Sequence, residues 1–193
     1  CPCFFIRLSG CNLRCRYCDS RYAWASGRAV PIVELVAMAR RSGVNLIEVT
    51  GGEPLRQAAT PSLLRHLTGV GRVLLETNGS LDISVVPDGV ATLMDVKCPS
   101  SEMADRMDWG NMARLRADAE VKFVIATEDD FDWALAKMRQ YDLPARCRAV
   151  LFSPVTDEMA PARLAELLLR SGAAARLNPQ WHKILWPDEE RGV

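Results

Sequence analysis

The sequence predicts an α/β protein built as an incomplete β/α barrel, with about six parallel strands and the site at their C-terminal ends. Three observations predict it. Apolar runs rich in β-branched residues alternate with helically spaced segments, the rhythm of repeated βα units. Six or seven such runs are present, too few for a complete eight-stranded barrel. The residues just beyond the runs are the chemically unusual ones, and ligands in such folds sit at the carboxyl ends of the strands.

The candidate strands are residues 4–9, 46–50, 73–77, 92–97, 121–126, 149–153 and 176–178. After the first, Pro31 suits a first helical turn, Ile32, Leu35, Val36 and Ala39 share one helix face, and Gly43 stops the pattern. Leu63, Leu64 and Leu67 mark a second helix, closed by Gly69. Phe131, Leu135 and Met138 mark a third, and Leu164, Leu167 and Leu168 a fourth that ends at Gly172. Pro154, after the sixth strand, is expected to release the chain from the ladder.

At 193 residues and 49% hydrophobic, the chain is long enough for one substantial core, so residues 1–193 are read as a single domain. The formal net charge is +0, which argues against a nucleic-acid or membrane partner and for a small-molecule pocket. No apolar run has the ~20 residues of a bilayer span and no secretory leader is visible, so a cytoplasmic location is expected. Five of the seven cysteines lie within the first eighteen residues. A disulfide framework would spread them, so their clustering suggests a reducing compartment and a metal site.

Residues 9–19 read Ser-Gly-Cys-Asn-Leu-Arg-Cys-Arg-Tyr-Cys-Asp, with three and then two residues between Cys11, Cys15 and Cys18. Structural zinc usually takes four ligands in two separated pairs, and no second pair follows. Three thiolates on a [4Fe-4S] cluster leave one iron free to chelate the amino and carboxylate groups of a cofactor. The three cysteines, with Tyr17 just before the last, resemble the radical S-adenosylmethionine superfamily. That resemblance implies reductive cleavage of S-adenosylmethionine to a 5'-deoxyadenosyl radical.

Other strand ends extend the likeness. The second runs into Thr50-Gly-Gly-Glu-Pro, where paired glycines free the backbone for close approach and Glu53 can accept a hydrogen bond from an ammonium. The third ends in Glu76-Thr-Asn-Gly, the fourth in Asp95-Val-Lys-Cys-Pro-Ser-Ser, and the sixth in Phe152-Ser-Pro-Val. With Arg7, Ser20 and the late Gln180-Trp-His-Lys, these segments resemble the 7-carboxy-7-deazaguanine synthase family over nearly the whole chain.

The resemblance implies radical ring contraction of 6-carboxy-5,6,7,8-tetrahydropterin to 7-carboxy-7-deazaguanine, with loss of ammonia and regeneration of the cofactor. Carried over by position, Arg7 faces the pterin carboxylate, Thr50 contacts the pterin, and His182 and Pro187 are further substrate neighbours. S-adenosylmethionine would meet Tyr17 through its backbone, then Gly52 and Glu53, then Asp95, Val96 and Lys97, and finally Phe152, Ser153, Pro154 and Val155. Ser20 would hold Mg²⁺, where other members carry threonine; serine keeps the oxygen that a hard cation wants. The resemblance also implies a homodimer, an electron donor such as flavodoxin, and a substrate loop that would precede the first strand, before Cys1.

Plain readings stand beside these. His66 fits a structural residue on a helix, Cys1, Cys3, Cys98 and Cys147 fit small buried apolar side chains, and the five tryptophans need only packing. Two rival functions remain open at this point. One is an activase that installs a glycyl radical in a partner protein, and the other a zinc- or iron-binding interaction module without catalysis.

Overall fold

The computed structural model describes residues 2–25 and 27–189. Its centre is a seven-stranded, wholly parallel sheet: β1 (Cys3–Leu8), β2 (Leu46–Gly51), β3 (Arg72–Thr77), β4 (Val90–Val96), β5 (Glu120–Ile125), β6 (Ala149–Pro154) and β7 (Arg176–Leu177). The spatial order follows the chain from β1 to β7, so each crossover steps the same way. Right-handed crossovers then place their helices on one face of the sheet and leave the other face hollow. This is the arrangement of an open barrel, and the seventh strand is a two-residue edge.

The helices are α1 (Ile32–Ser42), α2 (Thr60–Leu67), α3 (Asn111–Arg114), α4 (Glu128–Gln140), α5 (Leu143–Arg146), α6 (Pro161–Ser171) and α7 (Trp181–Leu185). Leu64, Leu67, Phe131, Leu135 and Leu164 bury against Ile47, Val49, Leu75, Val96, Phe123 and Phe152 from the sheet, forming the main core. Phe152 meets Phe123 and Phe131 edge-on, each at 5.5 Å between ring centroids. Gly43 and Gly172 take φ of 67° and 61° as the left-handed stops of α1 and α6, as their positions predict. The short α3, α5 and α7 carry too few turns to leave a periodic signal.

Alternation along β3 and β5 sends every second side chain to the hollow face. Its base is closed by Leu74, Leu93, Ala149 and Leu151. Above this plug the hollow face becomes polar.

Pro154 corrects an expectation. It stays in the ladder opposite Ile125, and the next residue, Val155, still donates its N–H to the Ile125 carbonyl at 2.9 Å. Successive N–H groups point to opposite sides of a strand, so the missing donor of Pro154 falls on the β7 side. There β7 has already ended, its pairing reaching no further than Phe152.

His66 is exposed on α2 with Nδ1 2.7 Å from the Ser62 carbonyl, and Cys98 and Cys147 are buried, consistent with structural roles. Cys1 lies outside the described residues. Among those described, no helix is long and apolar enough to cross a membrane.

Candidate active site

The loop after β1 turns at Gly10, whose φ of 91° suits glycine and whose N–H reaches the Ala23 carbonyl at 2.8 Å. Cys11 and Cys15 are buried around Leu13, with Cys18, Trp24 and Met103 packed against them. Burial pushes the Cys15 and Cys18 thiols up, with Lys97 acting to lower both. Cys11 Sγ accepts from the Leu13 N–H at 3.4 Å and from the Asn78 side-chain amide at 3.8 Å. Arg14 and Arg56 both donate to the Cys11 carbonyl, at 2.9 and 3.0 Å.

Among the described residues, no three His, Cys, Asp or Glu side chains stand close enough to share one ion. Three thiols from one loop match a [4Fe-4S] core that takes protein ligands on three of its four irons. A closed structural zinc site would need a fourth protein ligand, and no His, Cys, Asp or Glu among the described residues joins the three thiols.

The end of β2 holds this loop in place. A Cβ at Gly51 would stand 1.9 Å from the Leu8 carbonyl oxygen, and one at Gly52 would stand 2.4 Å from that of Gly10. The close approach of the β1 and cysteine-loop backbone by itself requires glycine at both positions. Gly52 and Glu53 donate their N–H groups to Leu8 and Gly10, each at 2.9 Å. The Glu53 carboxylate is fully buried and accepts from Leu55 N–H, Thr77 Oγ1 and Asn78 N–H. Burial raises its pKa and these three donors oppose the rise. Glu53 thus acts as a brace between β2, β3 and the cysteine loop.

The hollow face carries a ladder of charges. Thr50 Oγ1 donates to Glu76 at 2.8 Å, and Lys122 pairs with Glu76 on one side and with Asp95 at 3.5 Å on the other. Lys97 pairs with Asp95 at 2.8 Å. Burial alone would raise Glu76, yet Lys122, the Thr50 hydroxyl and Lys97 outweigh it and hold it at about 2. Burial likewise opposes the charge of Lys97 and Lys122, and Asp95 and its neighbours reverse this, pushing both up. Asp95 Oδ1 is buried with no hydrogen-bond partner. An unmet buried acceptor costs about 1–3 kcal/mol, which a ligand donor would remove.

Arg7 and Ser20 meet at the mouth, with the guanidinium 3.4 Å from Ser20 Oγ, which donates to Asp19 at 3.0 Å. Gln180 ties Asp19 to Thr156, at 2.7 and 3.1 Å, and so anchors the segment leading into α7. His182 lies on α7 and Pro187 just beyond it, and no hydrogen bond joins either to Arg7, Thr50 or Ser20. Tyr17 is turned inward, its hydroxyl 3.2 Å from the Val124 carbonyl. The Val96 and Phe152 side chains are buried in the helix-side core, so these residues offer the hollow face backbone alone. Ser153 is buried opposite Val124, with Pro154 and Val155 following. Asn78 belongs to the Glu76-Thr-Asn-Gly segment, whereas Glu48 and Lys122 carry no motif and are marked in the sequence only by alternation within β2 and β5.

Fold and site together are those of the radical SAM superfamily, whose family profile matches residues 5–167. The 7-carboxy-7-deazaguanine synthase of Koribacter versatilis is 35% identical over 207 residues, covering 100% of this chain and 92% of that protein. That of Chlorobaculum tepidum is 37% identical, covering 100% and 89%. The chain belongs to the 7-carboxy-7-deazaguanine synthase family. A solved structure, QueE from Escherichia coli, shares the fold with a TM-score of 0.73 at 21% identity, over 93% of this chain and 85% of that one.

Proposed function

We propose that this chain converts 6-carboxy-5,6,7,8-tetrahydropterin to 7-carboxy-7-deazaguanine and ammonia by radical ring contraction. The observation that carries the reading is the placement of three gathered thiols beside a buried, charge-balanced hollow face with Thr50 inside it and Arg7 at its rim. Cys11, Cys15 and Cys18 would hold a [4Fe-4S] cluster. When bound, the cluster and S-adenosylmethionine supply one-electron reduction and hydrogen abstraction from carbon.

The chain's own residues orient the reactants. Arg7 presents a planar fork to the pterin carboxylate, and Thr50 meets the ring from the neighbouring strand. His182 and Pro187 complete the substrate side from the segment that Gln180 anchors. Asp95 and Lys97 supply side chains to S-adenosylmethionine, and the unmet Asp95 Oδ1 is the acceptor that a cofactor donor fills. Tyr17, Gly52, Val96 and the run from Phe152 through Ser153 and Pro154 to Val155 serve through backbone and shape. Glu53 contributes by fixing Gly52, because its carboxylate is already committed to three protein donors.

Ser20 and Asp19 offer adjacent oxygens, the ligand type that Mg²⁺ takes. Arg14 and Arg21 beside the cluster loop suit an acidic one-electron donor such as flavodoxin. Leu177, Trp181, Ile184, Leu185 and Trp186 are exposed together near the C-terminal end, which supports a homodimer. Free cysteines among the described residues support a cytoplasmic location.

Anaerobic reconstitution tests the reading first. It expects four irons and four sulfides per chain, S-adenosylmethionine cleaved on reduction, and both lost in Cys15→Ala. One zinc without labile sulfide would return the chain to the interaction-module reading. Cleavage with the pterin untouched would favour an activase.

A further inference from the structure

Lys122 stands between two carboxylates on the hollow face. Alternation in β5 turns it away from Phe123, which packs in the helix-side core, and register sets it opposite Asp95 on β4. Its register partner on the other side, Leu151 of β6, belongs to the apolar plug, so Lys122 marks the level at which the hollow face turns polar. The ammonium pairs with Asp95 Oδ2 at 3.5 Å and reaches past β4 to donate to Glu76 Oε1 on β3.

Lys122 therefore meets each carboxylate on one oxygen and leaves the other for a different task. At Asp95, Lys97 takes the same Oδ2 at 2.8 Å, and Oδ1 stays bare. At Glu76, Oε2 accepts the Thr50 hydroxyl at 2.8 Å. An ionised carboxylate has no proton to give, so Thr50 must be the donor in that bond. A threonine hydroxyl carries one proton, and Thr50 commits it to Glu76. Toward the hollow, Oγ1 has only lone pairs left, and a group that meets it there must bring its own N–H or O–H.

The charge of Lys122 maintains this polarity. Among the described residues, it alone forms an ion pair with Glu76. Without it, Glu76 and Asp95 would face Lys97 together, and a largely buried carboxylate left without a partner takes up a proton. The resulting acid could donate to Thr50 and free the Thr50 proton to face the ligand.

We propose that Lys122 is a specificity-determining positioning residue: by holding Glu76 as an acceptor-only carboxylate, it makes Thr50 an acceptor toward the hollow and selects a ring N–H of the ligand at that point. A tetrahydropterin carries both N–H groups and a carbonyl, so the polarity of Thr50 decides which edge of the ring faces β2. The inference deepens, and rests on, the proposed contact between Thr50 and the pterin.

Two readouts on the reconstituted protein test it. Lys122→Met keeps an unbranched stem and removes the charge, and the KM for the carboxypterin should rise about tenfold with kcat moving less. Glu76→Gln should act alike, because Lys122 claims the amide oxygen and turns the amide NH₂ toward Thr50. Thr50→Val should cost a similar factor, and Lys122→Met added to Thr50→Val should cost no more than Thr50→Val alone. In infrared spectra of protein with ¹³C-labelled glutamate, Lys122→Met should gain a protonated carboxyl band over the wild type, and Glu76→Gln in that background should remove it. Losses that multiply in the double variant, a KM unchanged in both Lys122→Met and Glu76→Gln, or no new carboxyl band overturns the proposal. Absence of product from wild type with a full cluster sinks the pterin assignment and the Thr50 selection with it, whereas the infrared band judges the hold of Lys122 on Glu76 independently.

Discussion

The buried Glu53 carboxylate accepts the backbone N–H of Asn78 at 2.7 Å, and the Asn78 side-chain amide in turn points at Cys11 Sγ, 3.8 Å away. Through these two bonds the end of β2 and the end of β3 fix the first cysteine of the metal loop. Asn78 is itself held by Asn12 and Ser80, so its orientation is set on both sides. An N–H directed at a ligand sulfur stabilises the more negative, reduced cluster. Asn78→Ala is expected to make the reduction potential of the cluster more negative, as read by a potentiometric titration followed by electron paramagnetic resonance. An unchanged potential with full cluster content would remove Asn78 from this role.

Replacing Glu53 by glutamine keeps its shape but turns one acceptor oxygen into a donor facing a donor. Because the group is fully buried, at least one of its three partners is left unmet. The expected loss is about 1–3 kcal/mol of folding stability. Anaerobic denaturant unfolding measures it, and a loss within error of zero would contradict the brace.

Gly52→Ala should impair cluster loading more than it impairs folding of the sheet. The added Cβ meets Gly10 and Ala23 carbonyl oxygens at 2.4 and 2.9 Å, both in the backbone of the cysteine loop. Iron and sulfide content after reconstitution reports the effect, with far-ultraviolet circular dichroism as the control for the sheet. Four irons per chain in this variant would show that the loop tolerates displacement.

Glu76 links stability to acid. It ionises at about 2 in the folded protein against an ordinary 4.5, since Lys122, Thr50 and Lys97 overcome the cost of burial. The folded value lies below the unfolded one, so the stabilisation is complete above pH 4.5 and drains away as pH falls from there toward 2. Its size is on the order of 3 kcal/mol. The stability difference between wild type and Glu76→Gln should shrink from pH 6 to pH 3 in denaturant titrations. A difference that stays constant would mean that Glu76 is not held by these charges.

Ser20→Ala removes the hydroxyl that stands between Arg7 and Asp19. Turnover should fall and its response to added Mg²⁺ should weaken, while S-adenosylmethionine cleavage without pterin is retained. An unaltered Mg²⁺ response would place the cation elsewhere.

Much of the fold could be read from the chain because its signals are local. β-branched runs marked all seven strands to within two residues at either end, and Gly43 and Gly172 stop their helices by a conformation that favours glycine. The cysteine loop was legible for the same reason, its chemistry being written in consecutive residues. The hollow face was harder to read. Glu48, Glu76, Asp95 and Lys122 come from four strands, and their significance depends on register, which brings Asp95 opposite Lys122 and Thr50 within reach of Glu76. The packing reason for the glycine pair was not legible, because nothing local says that Leu8 and Gly10 pass against it. Pro154 likewise stays in the ladder only because β7 is so short, a fact of the neighbouring strand.

The most direct test of the central claim is anaerobic turnover. Reconstituted protein is incubated with S-adenosylmethionine, a reductant, Mg²⁺ and 6-carboxy-5,6,7,8-tetrahydropterin, and the mixture is analysed by mass spectrometry. The expected product is 7-carboxy-7-deazaguanine with an equivalent of ammonia, abolished by Cys15→Ala. Intact pterin from protein that carries a full cluster and cleaves S-adenosylmethionine would contradict it.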